Sequence, residues 1–229
     1  MIRLGWVTRF GSGIRSPTQL ERRWETGAFF SPETDRGPLS RPGDWVHANS
    51  LSIGPRGNTI VSFFFISEVV SIAPNFQSLE WRLGGAASTF SSTDFLQVGQ
   101  HTAAEVDTDR VLVFDNGWPG TRDDGGMYSR ALEVRLDREA GTAHIAWEFR
   151  PQPDIFAPII SSARRLPNGN TVVNVGTTAG FAGLPATGPS STFEVTPDGR
   201  VIWRMVVDGS SPIYRATPIG DIAGEEEIP

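Results

Sequence analysis

A tryptophan-bearing segment recurs four times in this chain, and that recurrence limits the folds open to it. Arg22-Arg23-Trp24-Glu25, Leu79-Glu80-Trp81-Arg82, Ile145-Ala146-Trp147-Glu148 and Val201-Ile202-Trp203-Arg204 place tryptophans at intervals of 57, 66 and 56 residues. A second mark recurs in phase. Tight-turn sequences stand at Pro55-Arg56-Gly57-Asn58, Asp107-Thr108-Asp109-Arg110 and Pro167-Asn168-Gly169-Asn170. Gly and Asn supply the positive φ of short hairpins, and Pro presets the residue ahead of the turn. Each turn leads into a β-branched or aromatic run: Thr59 to Phe63, Val111 to Phe114, Thr171 to Val175. A third mark follows at Ser67 to Ile72, Ala131 to Leu136 and Thr192 to Thr196, alternating with the period of two expected of half-buried strands.

One unit therefore reads as strand, tight turn, strand, longer connection, strand, turn, and a last strand carrying the tryptophan. Four antiparallel strands at this period predict an all-β protein, a β-propeller of four-stranded antiparallel blades. Gly (25) and Pro (17) punctuate the chain and no long 3.6-residue periodicity runs through it, so a helical fold is excluded. A β-sandwich is the competing architecture, but it does not require tryptophans in phase. Full blades are expected at about residues 45–85, 99–151 and 159–207, with a further unit starting at 213–219. Residues 1–44 read as a partial blade with an irregular segment, and 221–229 as an acidic tail. Three full blades with partial units at both ends lead us to expect an incomplete ring and an N-terminally truncated sequence. The four tryptophans are expected in the packing between blades.

Composition narrows the partners. With 20 basic and 26 acidic residues the net charge is −6, which argues against nucleic acid. The basic pairs Arg22-Arg23 and Arg164-Arg165 read as solvated faces. The longest apolar run, Ile60 to Ile66, has the length of a strand rather than the roughly 20 residues of a membrane helix, so no membrane partner is expected. There is no cysteine, hence no disulfide, zinc–thiolate site or thiol nucleophile. The first residues, Met1 to Ser16, have no apolar core of a secretory signal. Neither metal-ligand spacing nor a phosphate or dinucleotide loop is present, so neither metal nor cofactor is expected.

Three histidines remain for chemistry. His47 and His101 fall at the start of the first strand of adjacent units. If that strand is innermost, the two imidazoles meet at one mouth of the channel, where a group titrating near neutrality suits acid–base work. His144 sits in an outer strand and reads as a surface residue. Asp115-Asn116-Gly117 precedes a polar loop holding Arg122, with Arg130 after it. Arginine offers a planar fork for a sulfate or phosphate ester.

These segments resemble the bacterial arylsulfotransferase family that works without a nucleotide sulfate donor. The stretches concerned are Asp44 to Ser50, Trp81 to Gly85, Gln100 to Thr102, Phe114 to Gly117, Tyr128 to Arg130, Ala163 to Thr171 and Phe193 to Gly199, in order over about residues 20–220. The resemblance implies a six-bladed propeller that moves a sulfuryl group from a phenolic sulfate ester to a phenol by a ping-pong reaction through central-channel histidines. On it, His47, His101, Arg122 and Arg130 are assigned as catalytic. Asn49, Asn116, Thr177 and Thr178 are assigned to substrate binding. The partners are then a small aryl sulfate and a phenol, and the family resemblance suggests a periplasmic or secreted location for a truncated chain. One departure stands out: where the family has its nucleophilic histidine, Asn174 to Phe181 contains none, and Gly180 stands near the expected place. A non-catalytic propeller that binds an anionic ligand or a protein therefore remains the alternative.

Overall fold

A computed structural model describes residues 3–6, 22–92, 98–118, 125–176, 183, 187–207 and 211–218. Three four-stranded antiparallel sheets, each with its strands in sequence order, make up the body. The first contains β3 (Ala48–Ile53), β4 (Thr59–Phe63), β5 (Glu68–Ile72) and β6 (Leu79–Gly84). The second contains β7 (His101–Asp107), β8 (Arg110–Asp115), β9 (Arg130–Asp137) and β10 (Thr142–Phe149). The third contains β11 (Ser162–Arg165), β12 (Thr171–Val175), β13 (Ser190–Val195) and β14 (Val201–Val207). Ahead of them, β1 (Arg3–Trp6) pairs with β2 (Arg22–Glu25) in a two-stranded ribbon. Among the described residues there is no α-helix, and no helix long and apolar enough to cross a membrane.

The turns follow from their residues. Gly57, Gly169 and Gly199 hold φ of 76°, 86° and 84°, a region open to glycine without a Cβ clash. Each closes the same pair of backbone bonds, as in Leu166 N–H to Asn170 O (2.8 Å) and Gly169 N–H to Leu166 O (3.0 Å). The β7–β8 turn has no glycine; there Asp107 Oδ1 accepts the Asp109 amide at 3.0 Å and shapes the turn through its side chain.

The sheets stack face to face, and the alternation of each strand sorts side chains between two seams. Ile60, Val69, Trp81 and Leu83 meet Val111, Val113, Leu132 and Val134 of the second sheet. Leu112, Phe114, Ala131 and Phe149 meet Val173, Val175, Phe193 and Val195 of the third. On the other side of the first sheet, Val61, Phe63, Val70 and Ile72 pack against Trp24 and Phe30. The sequence marks β5 as half-buried, yet all five of its residues are buried. Its period of two separates two buried faces, because a sheet inside a stack has no solvent face.

Buried charge along these seams is paired. Arg82 on β6 donates to Glu68 on β5 and to Asp35, and its guanidinium lies 4.6 Å from the Phe30 ring centroid. Burial pushes the Glu68 carboxyl above its ordinary pKa against the pull of Arg82.

Two expectations about the tryptophans and basic pairs are corrected. Trp24 and Trp81 are buried and Trp147 packs partly buried in the second seam, but Trp203 is 50% exposed, because no described residues cover its face of β14. Arg165 does not lie on a solvated face: it donates to Glu133 and stacks over Trp147, 5.3 Å from the ring centroid.

The first strand of each sheet is innermost, with β3 beside β7 and β7 beside β11. These neighbours are not joined as a ladder, so their central amides need other partners. A repeated hydroxyl supplies them: Ser50 Oγ accepts from Ala103 N–H (3.0 Å), Thr102 Oγ1 from Ala163 N–H (3.1 Å) and Ser162 Oγ from Ala216 N–H (3.1 Å). The last of these ties residues 211–218 to β11 as a fourth inner segment without strand pairing, and Ser161 N–H donates to Tyr214 O at 3.0 Å.

Candidate functional site at the inner-strand ends

His101 opens β7 opposite Phe114 and is 5% exposed. Asn116 Nδ2 donates to Ala157 O (2.6 Å) and Ile160 O (3.1 Å), which turns Asn116 Oδ1 toward His101 Nδ1 at 2.9 Å. An acceptor there requires the proton on Nδ1. Nε2 in turn accepts the Ile160 amide at 3.2 Å. Both ring nitrogens are thus occupied. Burial lowers the pKa to about 4, against the raising effect of Asn116, and electrostatic interaction with His47 and Arg215 lowers it further. At neutral pH His101 is an uncharged ring with no free lone pair.

His47 is different in kind. It lies just ahead of β3 at φ 53°, and its side chain is 48% exposed. Nδ1 stands 2.7 Å from Asp44 Oδ2, and Nε2 has no hydrogen-bond partner among the described residues. The ring lies 4.8 Å from that of Phe65 and 6.1 Å from that of Phe64. Phe64 also touches His101, at 4.9 Å, so one buried ring separates the two imidazoles.

The two histidines do not hold equivalent places. Ala48 pairs with Phe63 just as His101 pairs with Phe114, with a bulge following in each strand. His47 is therefore one residue ahead of the register of His101. A slip of one residue turns a side chain to the opposite face, which is why one imidazole is buried and the other open.

The remaining assigned residues divide. Asn49 sits at the β3 bulge, its Nδ2 donating to Gln100 O at 2.7 Å. Asn116 serves His101. Arg130 opens β9 but is enclosed by carboxylates: Nε reaches Asp115 Oδ2 and Nη1 reaches Glu148 Oε2, both at 3.0 Å. Its charge is balanced inside the fold, so it is a poor anion clamp. Arg122, Thr177 and Thr178 lie outside the described residues. His144 is exposed on the outer strand β10. Among the described residues no group of three or more His, Asp or Glu side chains is arranged to hold a metal.

Three residues were not singled out from sequence. Asp44 is three positions from His47 within the same motif, and its spacing could have marked it. Tyr214, 55% exposed, brings its ring within 6.4 Å of His101, and Arg215 Nη2 reaches across to Asn49 O at 3.3 Å. Both belong to the inner segment 211–218, whose place beside β3 depends on the curvature of the whole stack.

Stacked four-stranded sheets whose first strands surround a common cavity define a β-propeller protein, with an open imidazole–carboxylate pair at one end of the inner strands. The sequence profile of the arylsulfotransferase (ASST) family matches residues 31–209, and the chain belongs to that family. None of the curated proteins compared matches it. Similar solved structures include a protein of unknown function from Bacteroides caccae (18% identity over 74% of this chain and 53% of that one, TM-score 0.48). A protein from Lactobacillus plantarum (16% identity, 77% and 45%, TM-score 0.40) and the PQQ-bound form of aldose sugar dehydrogenase from Streptomyces coelicolor (16% identity, 72% and 47%, TM-score 0.42) are also similar. The chain spans about half the length of these proteins.

Proposed function

We propose that the chain transfers a sulfuryl group from an aryl sulfate ester to a phenol, with His47 as the group that carries it. Family membership supports the reaction class, and the His47–Asp44 pair is the observation that carries the assignment of the nucleophile. A carboxylate on Nδ1 holds the proton there and leaves the Nε2 lone pair outward. In the first half-reaction Nε2 attacks sulfur, an N–S bond forms, the S–O(aryl) bond breaks, and the phenolate leaves. Asp44 balances the positive charge that develops on the ring. In the second, the oxygen of an acceptor phenol attacks sulfur, the N–S bond breaks, and the phenolic proton passes to solvent.

His101 acts as a neutral positioning group that fixes Asn116 and the Ile160 backbone beneath this site. Arg122 keeps the sulfate-holding role implied by family resemblance, as Thr177 and Thr178 keep theirs in substrate binding. A second reading, a propeller that binds anions without turning them over, is favoured by the saturation of His101 and by the lack of histidine between Asn174 and Phe181.

Incubation of the purified chain with p-nitrophenyl sulfate and phenol, following nitrophenolate release, tests the proposal. His47→Ala is expected to abolish turnover, and Asp44→Asn to slow it on the order of 100-fold, as for loss of a partner in acid–base or nucleophilic catalysis. Turnover equal to wild type in His47→Ala overturns the assignment. Aryl sulfate binding without any wild-type turnover selects the second reading.

A further inference from the structure

The inner strands β3, β7 and β11, together with residues 211–218, line a cavity of about 900 Å³. That lies within the roughly 300–1,000 Å³ of small-molecule sites. Two arginines line it without a carboxylate partner among the described residues.

Arg164 stands two residues from Ser162 on β11, so the two side chains share a face. Ser162 receives the Ala216 amide, so this face looks toward the segment carrying Arg215. Arg165, the next residue, points the other way into Glu133 and the Trp147 ring. The Arg164 side chain thus reaches the cavity with no ion pair or hydrogen bond among the described residues. Arg215 enters from the facing segment, and the Asn49 carbonyl is its hydrogen-bond acceptor.

Glu105 is the carboxylate among the described lining residues, and it is already satisfied. Its side chain is fully buried, receives Asn58 Nδ2 at 2.9 Å, and lies 3.6 Å from Arg56 and 3.4 Å from Arg138. In a chain of net charge −6, the uncompensated charge of this cavity is therefore positive among the described residues. Low-dielectric walls concentrate such a field on a bound anion.

We propose that Arg164 and Arg215 form the binding site for the anionic head of a sulfate monoester. Arg215, bonded to the Asn49 carbonyl two residues from His47, and Arg164 on β11 both hold it from the cavity wall. The partly exposed side chains of Leu51 and Val106, which line the same cavity, accept the aryl part. The proposal rests on the sulfuryl-transfer reading for the identity of the anion, whereas the charge of the site comes from the cavity itself.

Isothermal titration of the full chain at low salt with p-nitrophenyl sulfate, sodium sulfate and p-nitrophenol tests it. Arg164→Ala and Arg215→Ala are each expected to weaken p-nitrophenyl sulfate binding by about tenfold or more, as loss of a charge-assisted contact does. Lysine at either position should restore part of the affinity, since it keeps the charge but not the fork. Both side chains are exposed, so thermal melting of the variants should match wild type. His47→Ala should bind with unchanged affinity while losing turnover. Unchanged binding in the Arg164→Ala, Arg215→Ala double variant, or no binding of p-nitrophenyl sulfate by wild type, overturns the site. Binding that depends on both arginines without turnover leaves the site standing and defeats the catalytic reading instead.

Discussion

At the scale of single residues, the two inner-end histidines have opposite environments. His101 is packed as a neutral ring between Asn116 and the Ile160 amide, with a pKa of about 4. In the unfolded chain a histidine titrates near 6.5. The folded value is the lower one, so the stabilisation belongs to the neutral ring: it is full above about pH 6.5 and is lost as pH falls from there through 4. Between pH 7.5 and pH 5 this amounts to about 2 kcal/mol. Urea unfolding of wild type and His101→Gln at those two pH values measures it: the stability gap between them should narrow by about that amount. A gap independent of pH means that the ring is not held neutral. His47, with a partner on one nitrogen and solvent at the other, is the residue whose loss should affect chemistry rather than folding.

At the scale of strands, the tryptophan-bearing strand has two uses. In β6, Trp81 fills the seam with the second sheet and is 2% exposed, whereas in β14 the corresponding Trp203 is 50% exposed. Trp81→Ala should therefore lower stability by about 3–5 kcal/mol, the cost of emptying a large buried site. Trp203→Ala should change it by less than about 1 kcal/mol. Denaturant midpoints compare the two directly, and equal losses would mean that β14 is covered in solution. The same comparison shows why the periodic motif is legible: a hydrophobic strand flanked by a PNGN or PDG turn has few alternatives to a hairpin. Which face of that strand is covered is not written in its own residues. It is set by whether another sheet stands beside it.

At the scale of the molecule, the stack ends in an exposed apolar edge. Val201, Ile202, Trp203, Met205 and Val206 on β14 are all at least 40% exposed, on both faces of a strand that pairs only with β13 among the described residues. Such edges template association unless charge interrupts them. Met205→Lys combined with Val206→Lys should slow concentration-dependent light scattering of the purified chain while leaving its melting temperature within a few degrees. Unchanged scattering would place the association surface elsewhere. The opposite flank of the stack differs, since Trp24 and Phe30 cover the first sheet with buried aromatic rings.

Much of the architecture could be read before any coordinates. The turn residues, the alternation and the recurring tryptophan specify four-stranded units, since these are local properties with a period of two and a few obligatory glycines. The motif around Asp44 to Ser50 could be singled out as a candidate site for the same reason: its members are neighbours in sequence. The equivalence expected of His47 and His101 did not survive, because a one-residue difference in strand register reverses a side chain and no local signal fixes register against the partner strand. Arg130 was read as an anion clamp, but Asp115 and Glu148, brought from two other strands, neutralise it. Arg164 and Arg215 line one cavity because the curvature of three stacked sheets brings their segments together. The sequence by itself determined the repeated unit, a matter of short-range stereochemistry. The tertiary structure decided which imidazole is open and which cations have carboxylate partners among the described residues, because those depend on the charges and surfaces that distant segments bring to the same place.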